Sequence, residues 1–481
     1  MSTGVETNGT EGKTSIVHEE VSAADDDANQ LNDLGYKQEF KRNMGLLLQI
    51  AFPFIGMAIL PNWLVGFGPS LASGGPSSLF WGWVGGYMYA AALLTANMTV
   101  SWNLAQLIIG IASVLRNEVI ENTGAYVGVY IIMTFVCTGA GYLGMTFTNV
   151  MNHFIAFWLV ATTFVFVIGV LCLSPARNDA SWVFLQFTNE TGYDNPAIVF
   201  FLGLLQAGWT TIGYESGITI SENTKDAART GPRGLMLCIT AGLVQGFLIT
   251  LAALFTIQDL DGLIGASLPI SEYFMQTTRN PQVAAFFLAT MIVSQAGSFA
   301  NTAIAFTRLT WSMARDNALP YSKFFYKLDR DVPVRLVGLQ IVLMVVLILP
   351  VFGTMVYWRA ILSTTIISYN CAYGMPLLTR LLFVRNKMPL GPYNMGRWGV
   401  VVNAIALLWI IFLAVVLCFP STVPTDGTTF NYSCVMLGAV IIFTVVYWII
   451  SGRHKYKGPD AKELGEFATH GDDSDDATKV Q

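Results

Sequence analysis

The chain has 481 residues, of which 53% are hydrophobic and 12% are charged, and its formal net charge is -5. A soluble globular domain carries about 25% charged residues. The composition therefore excludes a soluble globular domain and indicates a polytopic helical membrane protein.

The chain opens with a polar segment that leads into the first predicted membrane span. Residues 1–36 are rich in Ser, Thr, Asp, Glu and Asn, a composition typical of a disordered tail. Three basic residues at 37–42 precede the span at about 45–67, which favours a cytoplasmic N-terminus. Within this span, Pro53 removes a backbone donor and Gly56 weakens the helix, so we predict a broken helix.

The uncharged stretch at 79–115 is difficult to divide into spans. One span needs about 20 residues, and two spans need a turn between them. The strongest turn signal in the stretch is Asn97-Met98-Thr99. Counted as one span, the stretch puts the N-terminus outside; counted as two, it leaves almost no loop. Both alternatives remain open at this point.

The segment at 197–220 contains the clearest functional signal in the chain. Its apolar run is interrupted by the sequence GYESG at 213–217, which places Glu215 at membrane depth. An ionisable side chain there is costly unless it meets a partner or a wet cavity. Freed backbone groups beside glycines are tolerated only where they line a site. We therefore predict a second broken helix, and inverted-repeat transporters place two such helices at matching positions.

The loops between the later spans alternate in their basic charge. The loops at 222–234, 308–335 and 380–397 contain thirteen Lys and Arg residues, against three in the intervening loops. The positive-inside rule therefore places the basic loops in the cytoplasm. Two Asn-x-Ser/Thr sequons, at Asn189 and Asn431, fall in loops of the opposite side. The further predicted spans are 124–146, 152–174, 235–257, 283–306, 336–353, 358–379, 400–420 and 432–450.

Several motifs resemble one family of transporters. TTIGYESGITISENTKDAARTGPRG is similar to the pattern TGYDxxxHxSEExxxAxxxxPxG, and LGYKQEFKRNMGLL, SGGPSSLFWGW and TRLTWSMARDNALPYS match the same proteins. On these motifs the chain resembles the amino acid–polyamine–organocation superfamily, and within it the fungal amino acid/choline permease branch, which includes GABA and choline permeases. The departures from the pattern are Glu215 for Asp, Thr219 for His and Asn223 for the second acid.

The resemblance implies an all-α transporter fold of two inverted five-helix repeats with two added C-terminal helices. The family has a complete second span and a cytoplasmic loop before the third. Here GWVGG resembles the start of the second span and GYMYAAALL the third, so several tens of residues are absent between them. We expect about 11–12 spans with a shortened region at the second and third.

The two predicted breaks are expected to share one substrate. Free amides of the first break would receive a carboxylate, with a simple proline kink as the alternative. Glu215 has three open roles: binding a substrate amine, exchanging a coupled proton, or capping the broken helix. Aromatic faces suit an ammonium group, although such residues also anchor helices in lipid. The substrate-binding candidates are Ile55, Gly56, Met57, Trp209, Thr210, Gly213, Tyr214, Glu215 and Ser216.

Two later spans contain polar residues at helical spacing. These residues are candidates for a gate or for the bundle interior, and hydrogen bonding between helices is the alternative. They are Gln295, Ser298, Asn301, Tyr369, Asn370 and Tyr373.

The sequence predicts a secondary active transporter that moves a small amino acid or organic amine by alternating access. No Walker loop, metal-ligand cluster or paired nucleophile and base is visible, so we expect no enzyme activity, catalytic residue, metal or cofactor. The expected partners are the substrate, H+ and membrane lipid, without nucleic acid. The alternative is a non-transporting nutrient sensor or an inactive truncated permease. We expect a multi-pass protein of the plasma membrane rather than the vacuole, with cytoplasmic tails at 1–36 and 454–481 and a transmembrane domain at 37–453.

Overall fold

The computed structural model describes residues 76–209, 212–215, 227–329, 332–353, 356–384, 395–396, 398–420, 422–427 and 430–455. Within these ranges the secondary structure is helical, and the only strand-like pairing is an isolated bridge between Asp329 and Val332. The helices are α1 (Pro76–Arg116), α2 (Thr123–Gly139), α3 (Gly144–Leu173), α4 (Ala180–Leu185), α5 (Pro196–Trp209), α6 (Ala227–Thr256), α7 (Leu260–Gly265), α8 (Pro269–Thr278), α9 (Pro281–Arg315), α10 (Ser322–Phe325), α11 (Val334–Ile348), α12 (Val356–Thr379), α13 (Trp398–Val416) and α14 (Ser433–Tyr447).

Eight helical segments in the described part of the chain are long and apolar enough to cross a membrane: α1, α2, α3, α6, α9, α11, α13 and α14. For this, α2 is counted with its 3₁₀ continuation to Leu143, α11 with its continuation to Phe352, and α14 with its continuation to Lys455. The predicted all-α polytopic fold is confirmed, and each span predicted after residue 120 overlaps a helix, although the span at 197–220 is interrupted by a turn at 212–215. Among the helices whose two ends both lie inside the described ranges, the boundaries differ most at α9, which continues from the predicted end at 306 to Arg315. The prediction stopped at the first charge, whereas backbone hydrogen bonding continues past the membrane surface.

The stretch at 79–115 forms one helix, α1, without a turn at Asn97. At 1.5 Å per residue, its 41 residues extend about 62 Å, roughly twice the thickness of the hydrocarbon core. The side-chain amide of Asn97 donates to the carbonyl of Leu93 at 2.7 Å and to that of Thr302 at 3.1 Å. The residue that signalled a turn is therefore bonded within α1 and across to α9.

Helix α1 lies at the centre of the bundle and packs against α9 and α12. The most apolar windows of α1 and α9 are each 67% buried, against 11% for α14. In the C-terminal half of α1, the ring of Trp102 stacks on Tyr126 at 5.7 Å and lies 5.0 Å from Trp358. Because α1 touches both α9 and α12, its inward-facing side chains can meet groups from several parts of the chain.

Replacing Asn97 by leucine is expected to lower stability by about 1 kcal/mol, the size of a typical hydrogen bond between membrane helices. The change removes the bond to the Thr302 carbonyl and the acceptor of the Thr302 hydroxyl at 2.9 Å. Thermal unfolding of the detergent-solubilised protein measures the effect. Thr95→Val is the matched control, because the Thr95 hydroxyl bonds only to carbonyls of its own helix. Equal losses in both variants would show that the contact between α1 and α9 contributes nothing specific.

Candidate functional site

The site begins where α5 ends. This helix stops at Trp209, and residues 212–215 form a turn rather than a further helical turn. Gly213 has a φ of 98°, in the left-handed region that favours glycine because a Cβ atom is strained there. The predicted helix interruption is therefore present at Gly213, and it turns the next two side chains into the bundle.

Glu215 is buried at this turn, with 8% of its surface exposed. Its Oε2 accepts hydrogen bonds from the Gly213 backbone N–H at 3.0 Å and from the hydroxyl of Tyr373. Its Oε1 accepts a bond from the Tyr89 hydroxyl at 3.2 Å. The carboxylate therefore links the turn at 212–215, which we call the α5 break, to α1 and α12. Among the described residues, its donors are neutral and no basic side chain forms an ion pair with it.

Four tyrosines surround this carboxylate, and we call Tyr89, Tyr214, Tyr369 and Tyr373 the tyrosine cluster. The ring centroids of Tyr214 and Tyr373 are 5.4 Å apart, and Tyr369 lies 5.9 Å from both Tyr89 and Tyr373. Tyrosine faces attract cations through the ring quadrupole, most strongly where water is excluded. A buried carboxylate within such a cluster is suited to an ammonium group.

Most of the chain matches a known protein family. The family described as "Amino acid permease" matches residues 50–441. This chain belongs to the amino acid permease family. The permease is therefore an integral multi-pass membrane transporter rather than an enzyme, and the resemblance to the amino acid–polyamine–organocation superfamily is confirmed.

Curated relatives align with the permease over most of their length. The amino-acid permease BAT1 homolog of Oryza sativa subsp. japonica is 27% identical, with 89% of this chain and 95% of the relative covered. Amino-acid permease BAT1 of Arabidopsis thaliana is 26% identical with the same coverage. An uncharacterized amino-acid permease of Schizosaccharomyces pombe is 26% identical, with 91% of this chain and 90% of the relative covered.

Tyr89 is the site residue that sequence reasoning missed. It lies in the apolar stretch whose division into spans was open, so the helix face that carries it was unknown. A signal was present nevertheless, because a tyrosine hydroxyl within a membrane span needs a hydrogen-bond partner. That partner is Glu215, 126 residues further along the permease chain.

Trp209 lies apart from the tyrosine cluster. It belongs to a hydrophobic cluster with Ile366 and Ile367 of α12, and with Leu413 and Leu417 at the end of α13. Its 7% exposure reflects packing between helices of the permease. These contacts are with packed apolar side chains, and the role of Trp209 as a wall of the pocket stays a prediction.

Five of the six polar candidates of α9 and α12 are buried, and Tyr373 is partly buried. Gln295, Ser298 and Asn301 each have 0% exposure. The side-chain amide of Asn370 donates to the Ile366 carbonyl of its own helix at 2.8 Å. Tyr369 and Tyr373 belong to the tyrosine cluster. The candidates that lie outside the described residues are Ile55, Gly56, Met57, Thr210 and Ser216.

Gly213→Ala is expected to lower uptake by the permease several-fold. A side chain at a φ of 98° costs about 1–2 kcal/mol, and relief of that strain would move Glu215 away from its donors. Uptake normalised to surface protein measures the effect. Gly203→Ala, in the regular part of α5, is the matched control because its new Cβ meets no atom within 4 Å. Unchanged uptake in Gly213→Ala would contradict a requirement for this backbone conformation.

Proposed function

We propose that this permease carries a small amino acid or organic amine and binds the amino group at Glu215 within the tyrosine cluster. The observation that supports the proposal most directly is the position of the Glu215 carboxylate, which is buried between the α5 break, α1 and α12 and hydrogen-bonded by Gly213, Tyr89 and Tyr373. A substrate ammonium would form stronger, charge-assisted bonds to the same oxygens.

The two substrates suggested by the family branch place different demands on the site. GABA carries an ammonium group that donates to Glu215, and a carboxylate that needs its own donors. We assign that carboxylate to the break predicted at Ile55, Gly56 and Met57. Choline has no N–H donor, so its binding would depend on the faces of the tyrosine cluster.

The same contacts support alternating access with proton coupling. Movement of the α5 break away from α1 or α12 breaks a bond from Tyr89 or Tyr373 to Glu215. When a buried carboxylate loses its hydrogen-bond donors, the free energy of its ionised form rises, and it takes up a proton. We therefore propose that Glu215 links substrate binding to H+ movement as the bundle changes conformation.

Radiolabelled uptake in a permease-deficient yeast strain tests the proposal. The compounds are GABA, choline and small neutral amino acids, assayed with and without a protonophore. We expect saturable uptake of at least one compound, with accumulation lost when the proton gradient is collapsed. Uptake that survives the protonophore would contradict proton coupling, and absence of uptake despite normal surface expression would contradict transport.

The second candidate function is a non-transporting sensor or an inactive truncated permease. The alignment with the rice relative runs over 494 positions but covers 89% of the 481 residues, so it includes positions that this permease lacks. The single helix α1 occupies the stretch where the family pattern is shortened. Binding of labelled substrate to purified protein, without uptake in cells, would favour the sensor over the transporter.

For localisation, we propose the plasma membrane with the basic loops and both tails in the cytoplasm. One span at α1 brings the count of predicted spans to eleven, which would put the tails on opposite sides, so the proposal requires an even number of crossings in the whole chain. The basic residues at 37–42 favour a cytoplasmic N-terminus instead. We expect an N-terminal epitope tag to be shielded from antibody in intact cells and accessible after permeabilisation. A tag accessible in intact cells would place the N-terminus outside.

A further inference from the structure

We propose that Asn189 is a site of N-linked glycosylation, whereas Asn431 in the adjacent loop sequon stays unmodified. The two sequons are Asn189-Glu190-Thr191 and Asn431-Tyr432-Ser433. The inference goes beyond transport and rests on the proposed outer location of these loops. The two sequons differ in the third residue, which the Thr191→Ser variant below controls for, and in the surroundings of each asparagine.

The two sequon loops lie on the same side of the membrane. The Val423 backbone N–H donates to the Thr191 carbonyl at 2.8 Å, and the Tyr193 hydroxyl donates to the Pro420 carbonyl at 3.0 Å. The loop between α4 and α5 is thereby hydrogen-bonded to the loop after α13. Both asparagines therefore face the same compartment, and their side of the membrane gives no reason for only one of them to be glycosylated.

Asn189 is exposed in a loop of polar residues. Its Oδ1 accepts bonds from the Thr191 N–H at 3.0 Å and from the Thr191 hydroxyl at 2.8 Å, while Nδ2 donates to the Tyr193 carbonyl. The sequon hydroxyl thus contacts the amide that reacts. Attachment of a bulky, solvated sugar at this surface leaves the packed helices undisturbed.

Glycosylation exchanges one bond of the sugar's anomeric carbon for another. The Asn189 Nδ2 attacks the anomeric carbon of a lipid-linked oligosaccharide diphosphate, and an N–C bond replaces the bond from that carbon to the phosphate oxygen. The lipid diphosphate leaves, and the proton that the amide nitrogen loses passes through solvent to the departing phosphate oxygen. No oxidant or reductant is required.

Asn431 is held in the structure by the same amide group that would have to react. Its Nδ2 donates to the carbonyls of Leu417 at 2.6 Å and Phe419 at 3.1 Å, where α13 ends and carbonyls lack helical partners. Its Oδ1 accepts a bond from the Ser433 N–H at 3.1 Å, and Ser433 is fully buried. A sugar on Nδ2 would remove a donor and force a large group into this junction.

The test uses the full-length chain with a C-terminal tag, expressed in a yeast host and analysed by immunoblot with and without peptide N-glycosidase. Asn189→Gln and Thr191→Ala each destroy the first sequon, and Thr191→Ser preserves it as the matched control. Ser433→Ala destroys the second sequon without altering the amide bonds of Asn431. Surface labelling of each variant shows whether the protein still folds and reaches the membrane.

We expect an enzyme-sensitive mobility shift in the wild type, Thr191→Ser and Ser433→Ala, and complete loss of the shift in Asn189→Gln and Thr191→Ala. An unshifted wild type overturns the proposal. So does a shift that persists in Asn189→Gln, whether Asn431 or the sequon at Asn8 accounts for it. These outcomes do not depend on uptake, so failure of the transport proposal leaves the result interpretable.

Discussion

Glu215→Gln is expected to lower uptake at least about 100-fold at low substrate concentration, which corresponds to about 2.7 kcal/mol. The glutamine keeps the size of the side chain and removes the negative charge that would receive the substrate ammonium. It also replaces one of the two carboxylate oxygens with an amide nitrogen, so either the Tyr89 hydroxyl at Oε1 or the Tyr373 hydroxyl at Oε2 loses its acceptor. Initial rates of radiolabelled uptake, normalised to surface protein, measure the effect.

Glu215→Asp is the matched control for this prediction. It keeps the charge but shortens the side chain by one methylene, so we expect a loss of about tenfold, smaller than that for glutamine. Counterflow separates the two charge-related roles. If Glu215 only exchanges the coupled proton, Glu215→Gln retains exchange of labelled for unlabelled substrate while losing accumulation. Loss of both indicates that the carboxylate binds the amine, and wild-type kinetics would rule out both roles.

Tyr373→Phe is expected to lower kcat/KM for uptake about tenfold, and Tyr89→Phe by less. Each change keeps an aromatic ring and removes a hydroxyl that donates to Glu215. A hydrogen bond to a charged group contributes about 1.5–3 kcal/mol, so loss of one such bond is measurable. The effect is smaller for Tyr89 because its bond to Oε1 is long, at 3.2 Å.

Tyr369→Phe is the matched control, because its ring belongs to the tyrosine cluster while its hydroxyl is not among the donors to Glu215. Uptake close to that of the wild type is expected for this variant. Equal losses in Tyr369→Phe and Tyr373→Phe would contradict a specific role for the hydroxyl bonded to the carboxylate. They would indicate instead that removal of any hydroxyl from the tyrosine cluster lowers uptake.

The stretch at 79–115 shows where sequence patterns reach their limit. Hydropathy reports whether residues suit a membrane, but the choice between one helix and two depends on whether a turn forms at Asn97. In the structure that side chain bonds to Thr302, a residue 205 positions away, and the helix continues. A long-range contact of this kind leaves no periodic signal in the local sequence.

The sequence by itself determined the membrane-spanning class and most span positions, and it identified Glu215 as a candidate site residue. A charge or an unpaired backbone group in lipid is so costly that such exceptions are visible in the local sequence. Only the tertiary structure decided which groups meet that carboxylate. Tyr89 and Tyr373 lie 126 and 158 residues from it along the chain and converge through the packing of α1 and α12 around the α5 break. Trp209, only six positions away, points into a different cluster. Proximity in sequence and proximity in the bundle differ here because the helix ends at Trp209 and the backbone changes direction at Gly213.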